Sequence, residues 1–476
     1  MTASDRRRLL HVAAIAVASI IVGAALQNSP GLPPGGAWAA GLVVFSIGAW
    51  ATRALPEPLT ALLFFLIAMM LGVAPAAVVF SGFASTALWL VFGGLVLATA
   101  VDITGLGRAL VGRLSTGVGT TYWQIITGLA LVGVLLSFLV PSTMGRVLLL
   151  VPLVLALAER LGYPEGSRGR AGMVLVTMLS TYLAACAVLP ANVPNLVLVG
   201  AVETVLGGTV RYGDYLILHF PVLGALKTVI LIAVIVALFR DEPVPVSAQA
   251  SHAQASDEPV PTDGETGDIP TPAKRLGLVL LITLTGWVTD SVHGISPAWV
   301  ALAAAAVCLW PGSGLLPNDA LARRINLAPF LYVAGILGIA RLIDTSGLGT
   351  WLSDWLLTVL PVSDQPDAVV FASLSALATA IGLVATMPGI PASLTGLAPE
   401  VASLSGWSVD AVVMTQVIGF STVVLPYQIP PLIVGMAISG VRMREAARAT
   451  LVLTAITVVV LWPLSYLWWW FLGVIG

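Results

Sequence analysis

Apolar runs dominate the chain, and they come in lengths that cross a bilayer. A hydrocarbon core takes about 20 consecutive apolar residues, and about eleven runs approach that length here. The pattern predicts spans near 9–26, 37–53, 57–72 and 84–102, a broken span over 171–208, and one over 214–239. It then restarts with spans near 275–290, 297–311 and 327–344, a second broken span, and a last one ending in Trp468-Trp469-Trp470, an interfacial anchor. Numbered in order, spans 5 and 10 carry the breaks. Short amphipathic stretches follow spans 4 and 9: residues 106–118 with Arg108 and Arg113, and one with Trp351, Asp354 and Trp355. These should lie along the interface.

Two further apolar stretches are interrupted. Residues 123–159 are broken at Val140-Pro141-Ser142-Thr143-Met144-Gly145-Arg146, and residues 367–405 at Met387-Pro388-Gly389-Ile390-Pro391. Each half of the first is marginal for a full span, and basic residues flank both ends. A re-entrant hairpin satisfies both constraints. Two ordinary spans would also keep both flanks on one side, but the break has few polar residues for an outer loop, which favours the hairpin.

The breaks in spans 5 and 10 are near copies. Leu189-Pro190-Ala191-Asn192-Val193-Pro194-Asn195-Leu196 and Leu425-Pro426-Tyr427-Gln428-Ile429-Pro430-Pro431-Leu432 both read L-P-x-amide-(V/I)-P-x-L. Prolines four apart (Pro190 and Pro194, Pro426 and Pro430) remove backbone donors and break a helix. Irregular backbone at membrane depth is tolerated only inside protein or along a wet cavity. Other features recur too. Asp102 to Gly107 matches Asp344 to Gly349, and Pro141 and Pro152 match Pro388 and Pro399 at one common offset. An odd number of crossings separates the copies, so they should be inverted, as in secondary transporters. The predicted fold is an all-α polytopic membrane protein of about eleven spans plus two hairpins, with two inverted repeats. Residues 1–36 form the first span and outer loop, 37–240 the first repeat, 241–273 a linker, and 274–476 the second repeat. The linker is rich in Pro, Ala, Ser, Asp and Glu, which reads as flexible.

Composition agrees: 476 residues, 58% hydrophobic and 9% charged. The net charge of −2 says nothing of partners, but charge placement does. Of 21 Lys and Arg, all but Arg211 and three intramembrane residues, Arg146, Lys227 and Arg341, fall on one predicted face. The positive-inside rule makes that face cytoplasmic. The expectation is a prokaryotic inner-membrane protein with N-terminus and linker inside and C-terminus outside. The Arg6-Arg7-Arg8 cluster before span 1 resembles a signal peptide. The run is long and lacks a clear cleavage site, so an uncleaved helix is expected.

Candidate chemistry collects at the breaks. Ser142 and Thr143 suit N-cap positions of the hairpin's second helix, where N–H groups and the helix dipole favour an anion. Arg146, one turn on, offers a fork for a carboxylate or sulfate-like oxyanion. The competing reading has it pairing with structural carbonyls or snorkelling to the cytoplasmic side. Asn192 and Asn195, with freed carbonyls, suit a small hard cation such as sodium. Thr422, Tyr427 and Gln428 are the counterparts in span 10. Lys227, mid-span and without an evident equivalent in the second half, either pairs, loses its proton or supplies fixed positive charge in place of a coupling cation, with snorkelling against Asp214 or the cytoplasmic rim as the competing reading. Arg341 should pair with Asp344 along one helix. Cys186 and Cys308 read as packing residues. No H-E-x-x-H, Cys/His cluster or G-x-S-x-G elbow appears, so no enzyme, cofactor or nucleic-acid partner is expected.

From the Asp/Gly turn before each hairpin, the two hairpins and the Pro-x-Asn-x-Pro break, the chain resembles the divalent-anion/sodium symporters over residues 35–475 or so. These are sodium-coupled dicarboxylate, citrate and sulfate carriers of the ion transporter superfamily. The resemblance implies a homodimer and an elevator motion of hairpins and broken helices against a scaffold. It places substrate among Ser142, Thr143, Arg146, Asn192, Gly389, Ser393, Thr395 and Gln428, and sodium near Ser142, Asn192, Asn195, Thr422 and Gln428. The sequence departs at both tips. The usual Ser-Asn-Thr is Pro141-Ser142-Thr143 in one and Pro388-Gly389-Ile390 in the other, without hydroxyls until Ser393 and Thr395. The expected function is a small-anion secondary transporter, sodium-coupled. The alternatives are proton coupling, anion exchange, or a cation/proton antiporter, which would need an acid at the broken helices.

Overall fold

The computed structural model describes residues 3–33, 35–52, 54–107, 109, 121–243, 270–357, 362–363, 365–384 and 386–476. Every regular element among them is helical. The first half holds α1 (Ala3–Leu26), α2 (Gly36–Thr52), α3 (Glu57–Met70), α4 (Thr86–Thr104), α5 (Tyr122–Leu139), α6 (Thr143–Arg160), α7 (Arg168–Leu183), α8 (Val193–Leu206) and α9 (Tyr212–Phe239). The second holds α10 (Thr271–Val288), α11 (Pro297–Leu309), α12 (Ala328–Thr345), α13 (Leu348–Leu357), α14 (Asp367–Val384), α15 (Gly389–Leu394), α16 (Ala398–Ser405), α17 (Val409–Ser421), α18 (Pro430–Ser439) and α19 (Met443–Phe471). Eight helices among the described residues are long and apolar enough to cross a membrane, with shorter apolar helices beside them. Most of the 106–118 stretch and of the 241–273 linker lies outside the described residues.

Helix boundaries follow local chemistry. Ser85, Ser142, Ser167 and Ser408 cap α4, α6, α7 and α17 by accepting a first-turn N–H. Gly105, Gly207, Gly406 and Gly440 end α4, α8, α16 and α18 in the left-handed region. In the first interrupted stretch only Val140 to Ser142 is non-helical; Ser142 caps α6, and Arg146 lies on its first turn. The second apolar stretch is more broken than expected, since a 3₁₀ turn at Thr395–Leu397 separates α15 from α16. Pro221 and Pro463 sit in or just after π-type turns at Phe220–Leu226 and Thr457–Leu461, which reroute α9 and α19 without ending them.

Packing is arranged in matching pairs. α4 lies on α11 and α12 lies on α3. Both contacts need a glycine: a Cβ on Gly93 would sit 2.8 Å from Ala301, and one on Gly335 would sit 2.6 Å from the Ala61 Cβ. Small residues let helices approach closely where lipid supplies no hydrophobic drive between them. α5 packs on α7 and α14 on α17, while α6 meets α18 and α15 meets α8. The segment Arg168–Ala187 is 94% buried by protein and Leu9–Leu26 only 6%, so α7 is central and α1 peripheral.

Candidate functional site

The two proline breaks fold differently in detail. After α7 the chain makes two 3₁₀ turns, Ala185–Ala187 and Leu189–Ala191, before α8 starts. Asn192 caps α8, its Oδ1 accepting from the Asn195 N–H at 3.1 Å. Pro194 occupies the second helical position, where its missing N–H is dispensable. Asn195 turns back, its Nδ2 donating to the carbonyls of Ala185 (2.9 Å) and Val188 (2.8 Å). In the second break Gln428 accepts from the Val424 and Leu425 N–H groups, both at 2.8 Å, and donates to the Gly382 carbonyl at 2.7 Å. The longer arm thus ties its own turn to α14. Asn192 and Gln428 share a motif position but not a task.

Both breaks and both tips open on one cavity of about 290 Å³. Pro141 to Met144 and Thr386 to Pro388 come from the tips, Asn192 to Pro194 and Leu196 from the first break, and Gln428, Pro430 and Pro431 from the second. The opposite wall is Glu57, Val91, Leu95, Asn326 and Tyr332, from α3, α4 and the start of α12. The N-termini of α6 and α8 meet here. Ser142 Oγ, capping α6, accepts from the Gly145 N–H at 3.1 Å.

Of the predicted residues, Ser142, Thr143, Asn192 and Gln428 line the cavity, while Arg146, Asn195, Gly389, Ser393, Thr395 and Thr422 do not. Thr395 is buried and donates to Gln416 Oε1 at 3.1 Å. Thr422 donates to the Ile418 carbonyl and accepts from Trp462 Nε1. Arg146, fully buried, sits behind the tip. Its Nη1 donates to the Val140 carbonyl, and its Nη2 donates to Thr143 Oγ1 (3.0 Å), Thr181 O (2.9 Å) and Ala191 O (3.2 Å). The guanidinium is thus turned toward structural carbonyls, the competing sequence reading, and away from the cavity. Lys227 follows the π-type turn of α9 and donates to the Ser421 carbonyl at 2.6 Å. Arg341 pairs with Asp344 at 2.8 Å along α12.

Sequence reasoning missed Glu57, Tyr182, Asn326, Tyr332 and Thr386. The hydroxyl thought absent from the second tip comes from Thr386, just upstream of the break; its Oγ1 lies 3.4 Å from the Tyr332 hydroxyl. Its signal was adjacency to Met387-Pro388. Glu57 supplies the acid that the antiporter reading lacked at the breaks, but from the facing wall. Glu203 is committed elsewhere, accepting from Ser85 and Thr86.

A polytopic helical bundle with paired helix breaks meeting at a shared cavity defines a membrane transport protein. Solved structures share the fold. The YdaH transporter of Alcanivorax borkumensis superposes with a TM-score of 0.55 at 16% identity, covering 83% of this chain and 88% of that one. MtrF of Neisseria gonorrhoeae, described as one of a class of antimetabolite efflux pumps, gives 0.54 at 13% identity over 85% and 84%. The chain belongs to the sodium:sulfate symporter transmembrane-region family, which matches residues 6–475. A membrane protein of Cupriavidus necator is 24% identical over 96% of this chain and 92% of its own length. The inner membrane protein YbhI of Escherichia coli is 23% identical over 75% and 79%. Both are described as membrane proteins, and a third relative, from Haemophilus influenzae, as an uncharacterized transporter.

Proposed function

We propose that the protein is a secondary transporter of a small anion, sulfate or a dicarboxylate in size, that alternates access around the cavity between the two breaks. The carrying observation is the convergence of both tips and both breaks on that cavity, with the N-termini of α6 and α8 directed to it. Such N-termini hold anions through free N–H groups and the helix dipole. Ser142, Thr143, Asn192 and Thr386 supply hydroxyl and amide groups beside them.

In an elevator motion the interrupted stretches and broken helices would move against a scaffold of α1–α4 with α10–α12. The cavity is lined by residues of both groups, which supports that reading. The paired packing of α4 on α11 and α12 on α3 supports inverted repeats. Basic residues put the N-terminus in the cytoplasm. The family's description names sodium, which supports cation coupling as one reading. Anion exchange is the second reading, favoured by the buried cations Arg146 and Lys227.

The test is uptake into proteoliposomes of labelled sulfate, succinate and citrate, each with a sodium gradient, a proton gradient, neither, or the unlabelled anion inside. Saturable uptake of one anion is expected. Failure of all under every gradient, with the protein folded, would refute the anion-carrier reading.

A further inference from the structure

Several oxygens that a coupling cation would use at the two breaks already have donors, although the buried Asn195 Oδ1 has none among the described residues. A small hard cation in such a carrier takes carbonyls freed by helix breaks together with nearby hydroxyls and amides. At the first break, the Arg146 guanidinium bridges one hydroxyl and three carbonyls of that kind: Thr143 and Val140 on the hairpin tip, Thr181 at the end of α7, and Ala191 at the turn before α8. It joins the same two segments that a bound cation would join.

At the second break the arrangement is complementary. By motif alignment Ser421 takes the place of Ala185, and Pro431 that of Asn195. The Ala185 carbonyl is satisfied by the Asn195 amide, which Pro431 cannot replace. The Ser421 carbonyl instead receives Lys227 Nζ at 2.6 Å, from a helix almost two hundred residues earlier in the chain. Both cations are buried at the breaks, Arg146 at 0% and Lys227 at 1% exposure. A charge at this depth is costly and persists where oxygens converge on it.

Resting on the anion-carrier reading, we infer that Arg146 and Lys227 are tethered cations standing where coupling sodium ions would bind, so that the transport cycle is independent of sodium. With positive charge fixed in the moving body, an anion offsets it in the loaded carrier and nothing does in the empty one. Anion-for-anion exchange is then the favoured cycle.

Sodium titration of the purified full-length protein tests this without requiring a known substrate. Melting is followed by tryptophan fluorescence in sodium chloride against choline chloride at equal ionic strength, for the wild type, Arg146→Ser and Lys227→Gln. A ligand that binds only the folded state raises the melting temperature in proportion to ln(1 + [L]/Kd). The expected result is no difference between the two salts for the wild type. At least one variant, with its oxygens freed, should gain a saturable sodium-specific rise. A merely structural cation would lower stability in both salts alike and produce no such gain. A saturable sodium-specific rise in the wild type, or its absence from both folded variants, overturns the inference. If one variant fails to fold, the other decides. In the uptake assay, equal rates in sodium and choline are expected for the wild type, and a tenfold sodium stimulation also overturns it. Absence of all anion uptake would instead defeat the carrier reading, while the melting comparison still decides this one.

Discussion

Asn195 offers the sharpest test of how the first break is held. It is fully buried, and its Nδ2 bridges Ala185 and Val188, carbonyls that otherwise accept only the single 3₁₀-type bonds from the Val188 and Ala191 N–H groups. Asn195→Leu removes both bonds. At about 0.5–1.5 kcal/mol net each, the loss is about 1–3 kcal/mol, nearer 1 by the averages found for bonds between membrane helices. Asn195→Asp has almost the same shape but reverses the polarity. When ionised, it sets a carboxylate against two carbonyl oxygens, and an uncompensated buried charge costs about 3–5 kcal/mol. When protonated, its O–H keeps one of the two bonds. The deficit of Asn195→Asp should therefore widen as pH rises, and that of Asn195→Leu should not. The assay is thermal unfolding of detergent-purified protein at pH 5 and pH 8, each variant measured against wild type. For a large domain, 1 kcal/mol moves the midpoint by about 2–4 °C, so the two variants should separate by several degrees at pH 8. If Asn195→Asp matched Asn195→Leu at both pH values, the assigned role of Nδ2 would be refuted.

Other perturbations address the cavity and the scaffold. Ser142→Ala and Asn192→Ala each remove a helix cap, at about 1 kcal/mol. If the anion rests at these N-termini, both should also raise the KM for uptake more than they lower the maximal rate. Tyr332→Phe should leave the melting temperature nearly unchanged and alter anion uptake, because its hydroxyl faces Thr386 across the cavity. Gly335→Val and Gly93→Val should each destabilise by about 1–3 kcal/mol through overpacking against Ala61 and Ala301. Gly277→Val, where a Cβ would meet nothing within 4 Å, serves as the control in the same melting assay.

The site was only partly legible in the chain. Ser142 was found because an N-cap has a local signature, a polar residue at the first turn of an apolar run, and Asn192 because it is an amide set between the prolines of the break. Arg146 was found as an intramembrane charge, but hydropathy reports the cost of a buried charge and not the direction of its side chain. Arg146 lies on the first turn of α6, but it points back at Thr181 and Ala191. Gln428 looked equivalent to Asn192. One more methylene lets it reach Gly382, and only the position of α14 reveals that.

The apolar runs, the proline breaks, the cap at Ser142 and the doubling of the pattern were legible in the sequence alone. Apolar length, missing backbone donors and first-turn hydrogen bonds act within a few residues of their source. What only the tertiary structure decided was which side chains share a volume. Glu57, Tyr182, Tyr332 and Thr386 face one cavity with residues from both breaks, and Lys227 meets Ser421 in the other half of the chain. Those meetings depend on how helices from the two halves cross and rotate against each other. That is set by close contacts such as Gly93 on Ala301 and Gly335 on Ala61, between residues far apart in the sequence.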